Sequence, residues 1–176
     1  AHGDEYLDFF PGWAVSGLGH CHKRVTEAIK RQAERLIHVS NNYYNVLQAK
    51  LAQKIIENSF EGKVFFCNSG AEATESAIKF ARKFGYESGR YEIITMKQSF
   101  HGRTLGMVAA TGQVKFQKPY APLPTGFINV AYDSVEAIEA ATTERTCAVM
   151  LEPVQGEGGV NVPADGYLAG VKQWCD

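Results

Sequence analysis

Apolar and polar positions follow two different periods along this chain, and the change of period divides it into two parts. Apolar residues recur at helical spacing over residues 22–37 and again from Leu47 to about Asn58. From Lys63 onward, short runs of strand-forming residues alternate with helical segments. The predicted strands are 63–67, 91–96, 128–131 and 146–151, and the predicted helices are 70–84, 104–110, 134–142 and one from about Asp165. This alternation predicts an α/β fold with a mostly parallel sheet and covering helices.

The turn after the first predicted strand carries the most specific local signal. Ser69 is followed three positions later by Glu72, the pattern of a capping box at a helix start. Gly70 and Ala71 lie between them, so several backbone N–H groups are left unpaired beside the positive end of the helix dipole. Such a turn favours a phosphate, although most strand-to-helix joints bind nothing.

Two later loops bring further reactive side chains to the ends of predicted strands. Residues 99–104 follow the strand at 91–96 and contain an aromatic residue, a histidine and an arginine. Residues 152–159 follow the strand at 146–151 and contain two glutamates among glycines. The carboxyl ends of parallel strands meet at one edge of the sheet, where ligands bind in open α/β folds. The sequence therefore predicts one site that joins a phosphate cradle, an aromatic face beside a cation, and two carboxylates.

Composition and charge narrow the class of protein. The 176 residues are 45% hydrophobic and 21% charged, with a formal net charge of −1, as in ordinary globular proteins. No basic stripe suggests a nucleic-acid partner, and no apolar run is long enough for a membrane span. The four cysteines are scattered, which is typical of the reducing cytoplasm. His20 and His22 flank Cys21, but adjacent side chains of an extended segment point to opposite faces and the sequence has no second cluster of ligands, so no metal site is expected.

Four segments together resemble one protein family. In chain order they are Gly19–His22, Ser69–Ala73, Phe100–Thr104 and Glu152–Glu157. Over essentially all 176 residues the chain resembles the class III aminotransferases. The resemblance implies the type I fold of PLP-dependent transferases, with a partial large domain, and pyridoxal 5′-phosphate (PLP) as cofactor. His101 favours the acetylornithine branch, which serves arginine biosynthesis, because ornithine aminotransferases usually carry tryptophan at this position.

The resemblance assigns contacts with the cofactor to five residues. The backbone N–H groups of Gly70 and Ala71 would hold the phosphate, with Ser69 alongside. Phe100 would stack on the pyridine ring, and Glu152 would lie close to the cofactor. For Phe100 the alternative is an ordinary core phenylalanine.

Contacts with the substrate are implied for three more residues. Arg103 would clamp the substrate α-carboxylate by a planar, two-pronged contact. Glu157 would engage a downstream arginine and gate access, and Trp13 would touch the substrate side chain. The alternatives are a solvated arginine, a flexible exposed loop and simple packing.

No residue of this chain matches the catalytic lysine of the family. The Schiff-base lysine and the aspartate that pairs with the pyridine nitrogen are expected downstream of Asp176, so the chain is expected to be a fragment that is inactive alone. Residues 1–40 would belong to the small domain and its connection, and residues 41–176 to a truncated large domain. Two alternatives stay open, namely a non-catalytic module that binds PLP or another phosphate ester, and a complete enzyme that uses Lys97.

The implied reaction transfers an amino group from N-acetylornithine, or a similar basic amino acid derivative, to 2-oxoglutarate. An ornithine or other ω-amino acid aminotransferase is the alternative within the family. The full-length protein is expected to be a cytoplasmic homodimer, in which the loop at residues 41–45 could meet the partner.

Overall fold

The first part of the chain consists of two helices joined by a polar loop. The structure, a computed structural model, describes residues 3–176, which divide into two units after Val64. In the first unit, helix α1 spans Lys23–Ala33 and helix α2 spans Val46–Glu57. Helix α1 ends earlier than predicted because its last turn tightens, with the Arg35 N–H donating to the Gln32 carbonyl at 3.0 Å. The predicted domain boundary near residue 40 stays a prediction.

The second unit alternates helices and strands as predicted. Its elements are α3 Gly70–Gly85, β1 Glu92–Met96, α4 Leu105–Ala110, α5 Val114–Gln117, β2 Phe127–Val130, α6 Val135–Ala141, β3 Thr146–Met150 and α7 Tyr167–Cys175. Short 3-10 turns follow α3 and α5. None of the helices within residues 3–176 is both long and apolar enough to cross a lipid bilayer.

The strands form one parallel sheet in the order β2–β1–β3. Ile93 lies opposite Phe127 of β2 and Ala148 of β3, so β1 is hydrogen-bonded on both sides. All residues of β1 are buried, as expected for a central strand that is covered on both faces. The predicted α/β fold with a mostly parallel sheet is therefore confirmed.

Helices cover both faces of this sheet and create two apolar clusters. Ile94 and Met96 face α6 and α7, where they pack with Ile138, Tyr167 and Val171. Ile93 faces the other side, where it packs with Ile78 of α3 and with Met107 and Ala110 of α4. This arrangement holds the amino end of α3 and the carboxyl ends of the strands in one framework.

Three local predictions differ from the structure. Residues 63–67, predicted as a strand, form no ladder, because a strand needs a partner and none pairs with them among the described residues. Phe80 and Phe84 recur at helical spacing with Ala77 and Ala81, a pattern that predicts a shared buried face of α3. They are instead 64% and 79% exposed, because the helix packs through Ala71, Ile78 and Ala81. The prolines and glycines of residues 112–127 predict a loop, yet this segment contains helix α5, of which Lys115 and Phe116 line a cavity described below.

Candidate functional site

The amino end of helix α3 is built as the capping pattern predicts. Ser69 Oγ accepts from the Glu72 N–H at 3.2 Å, and the Glu72 carboxylate accepts from the Asn68 N–H at 2.7 Å. Within residues 3–176, no protein acceptor is found for the N–H groups of Gly70 and Ala71. A Cβ added to Gly70 would meet no heavy atom within 4 Å. The positive end of this sixteen-residue helix therefore carries two N–H donors without a protein acceptor among the described residues, next to open space at the Gly70 Cα.

The loop after β1 packs directly against this helix end. Thr74 Oγ1 of α3 donates to the His101 carbonyl at 2.8 Å. A Cβ on Gly102 would lie 3.1 Å from the Ala71 side chain, so the approach requires glycine. Gly102 also has φ +133°, a backbone conformation that other residues rarely adopt. The predicted phosphate cradle at the start of α3 and the loop at residues 99–104, which carries Phe100 and Arg103, are therefore adjacent.

Glu152 joins the loop after β1 to the loop after β3. One of its carboxylate oxygens accepts from the Phe100 N–H at 2.8 Å, and the other accepts from the Gly156 N–H at 3.2 Å. Its carbonyl accepts from the Tyr132 hydroxyl at 3.1 Å. The predicted position of Glu152 close to the cofactor stays a prediction, and what the structure shows is that Glu152 fixes the Phe100 backbone.

Arg103 lies between two aromatic rings. Its guanidinium carbon is 5.3 Å from the centre of the Phe100 ring and 5.3 Å from that of Phe116. The three side chains, with Lys115 and Tyr120, line a cavity of about 140 Å³. The guanidinium is exposed, so stacking orients the fork while its N–H donors remain open to a ligand.

His101 is the most deeply buried titratable group of the site. It is 6% exposed, and its Nε2 has no hydrogen-bond partner within the described chain. Burial lowers the pKa of the imidazole below 6.5, and the nearby charge of Glu152 only partly opposes this effect. The ring is therefore neutral near pH 7.

Glu157 is held by a residue that the sequence did not single out. The Gln113 side-chain amide donates to Glu157 Oε2 and, at 3.0 Å, to the Ser99 carbonyl. Gln113 is 3% exposed, and it lies between α4 and α5, far from Glu157 in sequence. The loops at residues 99–104 and 152–159 therefore both contact Gln113, which lies in the segment between α4 and α5.

The whole chain matches one known family over its length. The model of the class-III aminotransferases covers residues 1–176. The chain belongs to this family. Among the curated relatives of this aminotransferase chain, the acetylornithine aminotransferase of Caldanaerobacter subterraneus subsp. tengcongensis is 54% identical over 177 residues, with 99% of this chain and 45% of the relative covered. The acetylornithine aminotransferase of Methanocaldococcus jannaschii is 53% identical, with 99% and 44% covered.

Solved structures agree with the family assignment. The ornithine aminotransferase of Toxoplasma gondii ME49 superimposes with a TM-score of 0.89 at 36% identity, covering 98% of this chain and 42% of that one. A second structure of the Toxoplasma gondii enzyme, with a TM-score of 0.90, shows partial occupancy of PLP at its active site. The aminotransferase chain thus spans less than half the length of these relatives. The resemblance deduced from the sequence motifs, and the fold that it implied, are confirmed.

The structure brings together most of the site residues predicted in this aminotransferase chain. Those that lie in the second unit are Ser69, Gly70, Ala71, Phe100, Arg103, Glu152 and Glu157. Trp13 lies in the first unit, where its ring contacts Phe10 edge-on at 5.6 Å and is 81% exposed. Its contact with the substrate stays a prediction.

Three neighbours of the site were missed at the sequence level. Phe116, Lys115 and Gln113 all lie between the end of α4 and the end of α5. The one available signal was the short apolar-polar pattern around Phe116, which is too brief to indicate a helix. The contacts of Phe116 with Arg103 and of Gln113 with Glu157 depend on tertiary packing.

Proposed function

We propose that the full-length protein containing this chain is a PLP-dependent aminotransferase that transfers an amino group from N-acetylornithine to 2-oxoglutarate. The observation that carries the proposal is the pair of unpaired N–H donors at Gly70 and Ala71 beside the Phe100–Arg103 loop. The relatives named acetylornithine aminotransferases, at 54% and 53% identity, support the choice of amino donor.

The residues present fit this cofactor. A phosphate monoester needs several N–H donors without internal partners, and the amino end of α3 offers them in open space. A flat heterocycle needs an aromatic face, and Phe100 is half-buried with its backbone fixed by Glu152. PLP supplies the electron sink for the reaction when it is bound.

The protein side chains would orient the substrate and provide a positive charge for its carboxylate. Arg103 would bind the α-carboxylate through its planar fork, which the Phe100 and Phe116 rings hold in orientation. Phe100 would stack on the pyridine ring. Glu152 would hold the Phe100 backbone next to the loop at residues 152–159, because its carboxylate accepts from the N–H groups of both Phe100 and Gly156. His101, neutral and buried, would add no charge next to the cofactor.

The lysine that carries the cofactor covalently is proposed to lie outside residues 1–176. Lys97 is the one rival suggested by its place after β1. The backbone of Lys97 is used for the fold, since its N–H donates to the Val130 carbonyl at 2.7 Å and its carbonyl accepts from Gln155 at 2.8 Å. Its side chain is exposed.

Two properties of the whole protein are proposed from the family. The full-length enzyme would be a homodimer, and it would work in the cytoplasm. Tyr43 and Tyr44, in the loop at residues 41–45, are largely exposed and are candidates for contact with the partner. Light scattering of the purified full-length protein measures its mass directly, and a monomer would contradict the dimer.

A substrate assay of the full-length protein tests the reaction. Purified enzyme with PLP and 2-oxoglutarate should form glutamate from N-acetylornithine faster than from ornithine, as measured by kcat/KM for each donor. Faster turnover of ornithine would favour the alternative within the family. No glutamate from either donor would contradict the proposed function.

A cradle variant tests the cofactor. Gly70→Val places a branched side chain in front of the two N–H donors, where the protein itself has free space. We expect the variant to fold like the parent but to lose PLP during dialysis. Gly62→Val, in an exposed loop, is the control and should retain PLP. Equal retention by both variants would show that the cradle is misplaced.

A further inference from the structure

The cavity beside Arg103 is lined by groups that can donate hydrogen bonds and by no carboxylate. Arg103 and Lys115 give its lining two positive charges. Thr111 and Tyr120 add two hydroxyl groups, and the other walls are aromatic or aliphatic. Neither cation forms an ion pair within residues 3–176. Two positive charges that line one small cavity without a counter-charge favour an anionic ligand.

The Phe116 ring brings the two cations together. Lys115 Nζ lies 4.7 Å from the centre of this ring, and the Arg103 guanidinium carbon lies 5.3 Å from the same centre. Such cation–π contacts hold a flexible side chain beside the ring. Helix α5, which carries Lys115 and Phe116, is itself held by Gln117, whose amide donates to the Thr111 carbonyl at 2.8 Å. Both positive charges are therefore kept next to the cavity.

Thr111 adds a buried hydroxyl to the lining of this cavity. It is 1% exposed, and its Oγ1 accepts from the His101 N–H at 3.1 Å. No acceptor for the proton of this hydroxyl is found within the described part of the chain. A buried donor without an acceptor is costly, so a ligand oxygen in the cavity would stabilise it. The hydroxyl therefore favours the same kind of ligand as the two cations.

We propose that Lys115 is a second cation that binds the substrate carboxylate together with Arg103. This inference rests on the proposed aminotransferase function, which assigns the α-carboxylate to Arg103. The cavity of about 140 Å³ is smaller than the roughly 300–1,000 Å³ of pockets that enclose a whole small molecule, so it fits one end of the substrate. N-acetylornithine and 2-oxoglutarate both carry a carboxylate, so the two cations would serve both halves of the reaction.

A ligand that cannot react tests this contact separately from turnover. N-acetylnorvaline keeps the carboxylate and the acetamido group of N-acetylornithine but lacks the amine that reacts. In the full-length enzyme with PLP, Lys115→Met should raise the dissociation constant of N-acetylnorvaline, measured by calorimetry, about fivefold, the upper range for an exposed ion pair. Lys115→Arg keeps the positive charge and should bind the ligand nearly as tightly as the parent.

Kinetics and salt provide two further measurements. Lys115→Met should raise KM for N-acetylornithine and for 2-oxoglutarate, with a smaller effect on kcat, because the lost contact is made by bound substrate as well as in the transition state. The difference in KM between this variant and the parent should shrink as KCl is raised from about 0.05 M to about 0.5 M, since salt screens exposed charges. Loss of structural support would not depend on salt in this way.

Lys118→Met is the matched control. Lys118 is exposed in the short turn that follows α5, and it does not line the cavity. The substitution removes the same charge three positions further along the chain. It should leave KM and the dissociation constant of N-acetylnorvaline unchanged.

Each contrary result has a distinct meaning. If the parent enzyme forms no glutamate from N-acetylornithine, the proposed function is wrong, and calorimetry still decides the carboxylate site by itself. An unchanged dissociation constant in Lys115→Met would overturn the inference. So would an equal increase in Lys118→Met, which would indicate a general effect of net charge, or an equal increase in Lys115→Arg. Unfolding of Lys115→Met while Lys118→Met folds would give Lys115 a structural role instead.

Discussion

Arg103, which we propose as the substrate-binding arginine, shows how neighbouring rings restrict a single side chain. Its guanidinium lies 5.3 Å from two aromatic ring centres, one predicted from the motif and one found only in the structure. Stacking on rings restricts a flexible side chain, so less entropy is lost when the fork meets a carboxylate. This preparation depends on the planar group and not on charge alone.

Replacing Arg103 with lysine should therefore lower activity although the charge is kept. We expect kcat/KM of the full-length enzyme for N-acetylornithine to fall about 10- to 100-fold, because about 1.5–3 kcal/mol is lost with a charged hydrogen bond. Arg82→Lys is the matched control, since the Arg82 guanidinium also lies 5.3 Å from a ring, that of Phe127, in the helix α3–sheet interface. It should leave kcat/KM nearly unchanged. Equal losses in the two variants would remove Arg103 from the substrate site.

We expect His101 to make the free energy of unfolding depend on pH. Burial lowers the pKa of the folded imidazole, while the unfolded chain keeps the ordinary value of 6.5. Above that pH both states are neutral and the residue has no effect. Below that pH the unfolded state gains a proton that the folded state does not. As the pH decreases from 6.5 to the lower pKa of the folded state, the free energy of unfolding therefore decreases.

His101→Gln should remove this contribution. One proton accounts for a slope of at most about 1.4 kcal/mol per pH unit in the free energy of unfolding. We expect the loss of stability between about pH 7.5 and pH 5.5, measured by urea denaturation, to be smaller in His101→Gln than in the parent. The same loss in both proteins would show that His101 is not buried as a neutral ring.

At the scale of loops and strands, two glycines on either side of Glu157 have different roles. A Cβ on Gly158 would lie 2.0 Å from the Gln98 carbonyl oxygen, whereas a Cβ on Gly156 would meet nothing within 4 Å. The loop after β3 is thus pressed against the end of β1 at one glycine and is free at the other. This close approach holds Glu157 within reach of Gln113.

Alanine substitutions at Gly156 and Gly158 should have different effects on stability and on kcat/KM. Gly158→Ala must push the loops apart, at a cost of about 1–3 kcal/mol for overpacking, and should lower kcat/KM as Glu157 moves. Gly156→Ala should change stability and kcat/KM little, because its backbone N–H still donates to Glu152. Thermal unfolding and donor kinetics of the full-length variants give the comparison. A tolerated Gly158→Ala would contradict the close packing of the two loops.

The sequence pattern predicts a structural feature correctly where the interactions that form the feature are between residues close together in the chain. The cap at Ser69 is encoded within four residues, so the pattern identified it correctly. Residues 63–67 have strand-forming side chains, but pairing depends on a partner that the pattern cannot specify. The contact between Gln113 and Glu157 joins residues far apart in sequence, and a single sequence gives no signal for it.

At the scale of the whole molecule, the described chain exposes much apolar surface. The strands β2 and β3 lie at the two edges of the described sheet. Ile37, Phe65 and Phe84 are 87%, 68% and 79% exposed. Unpaired strand edges and large apolar patches promote association with other chains. A polypeptide of residues 1–176 should therefore behave differently from the full-length protein.

We expect such a polypeptide to form soluble oligomers or aggregates by light scattering, and to show no transaminase turnover. Any PLP that it binds would be held by the α3 cradle and by stacking on Phe100, and both are reversible contacts. Borohydride reduction after addition of PLP, followed by mass spectrometry, should therefore label no single lysine stoichiometrically. Stoichiometric labelling of Lys97 together with turnover would instead show that residues 1–176 contain the whole catalytic apparatus.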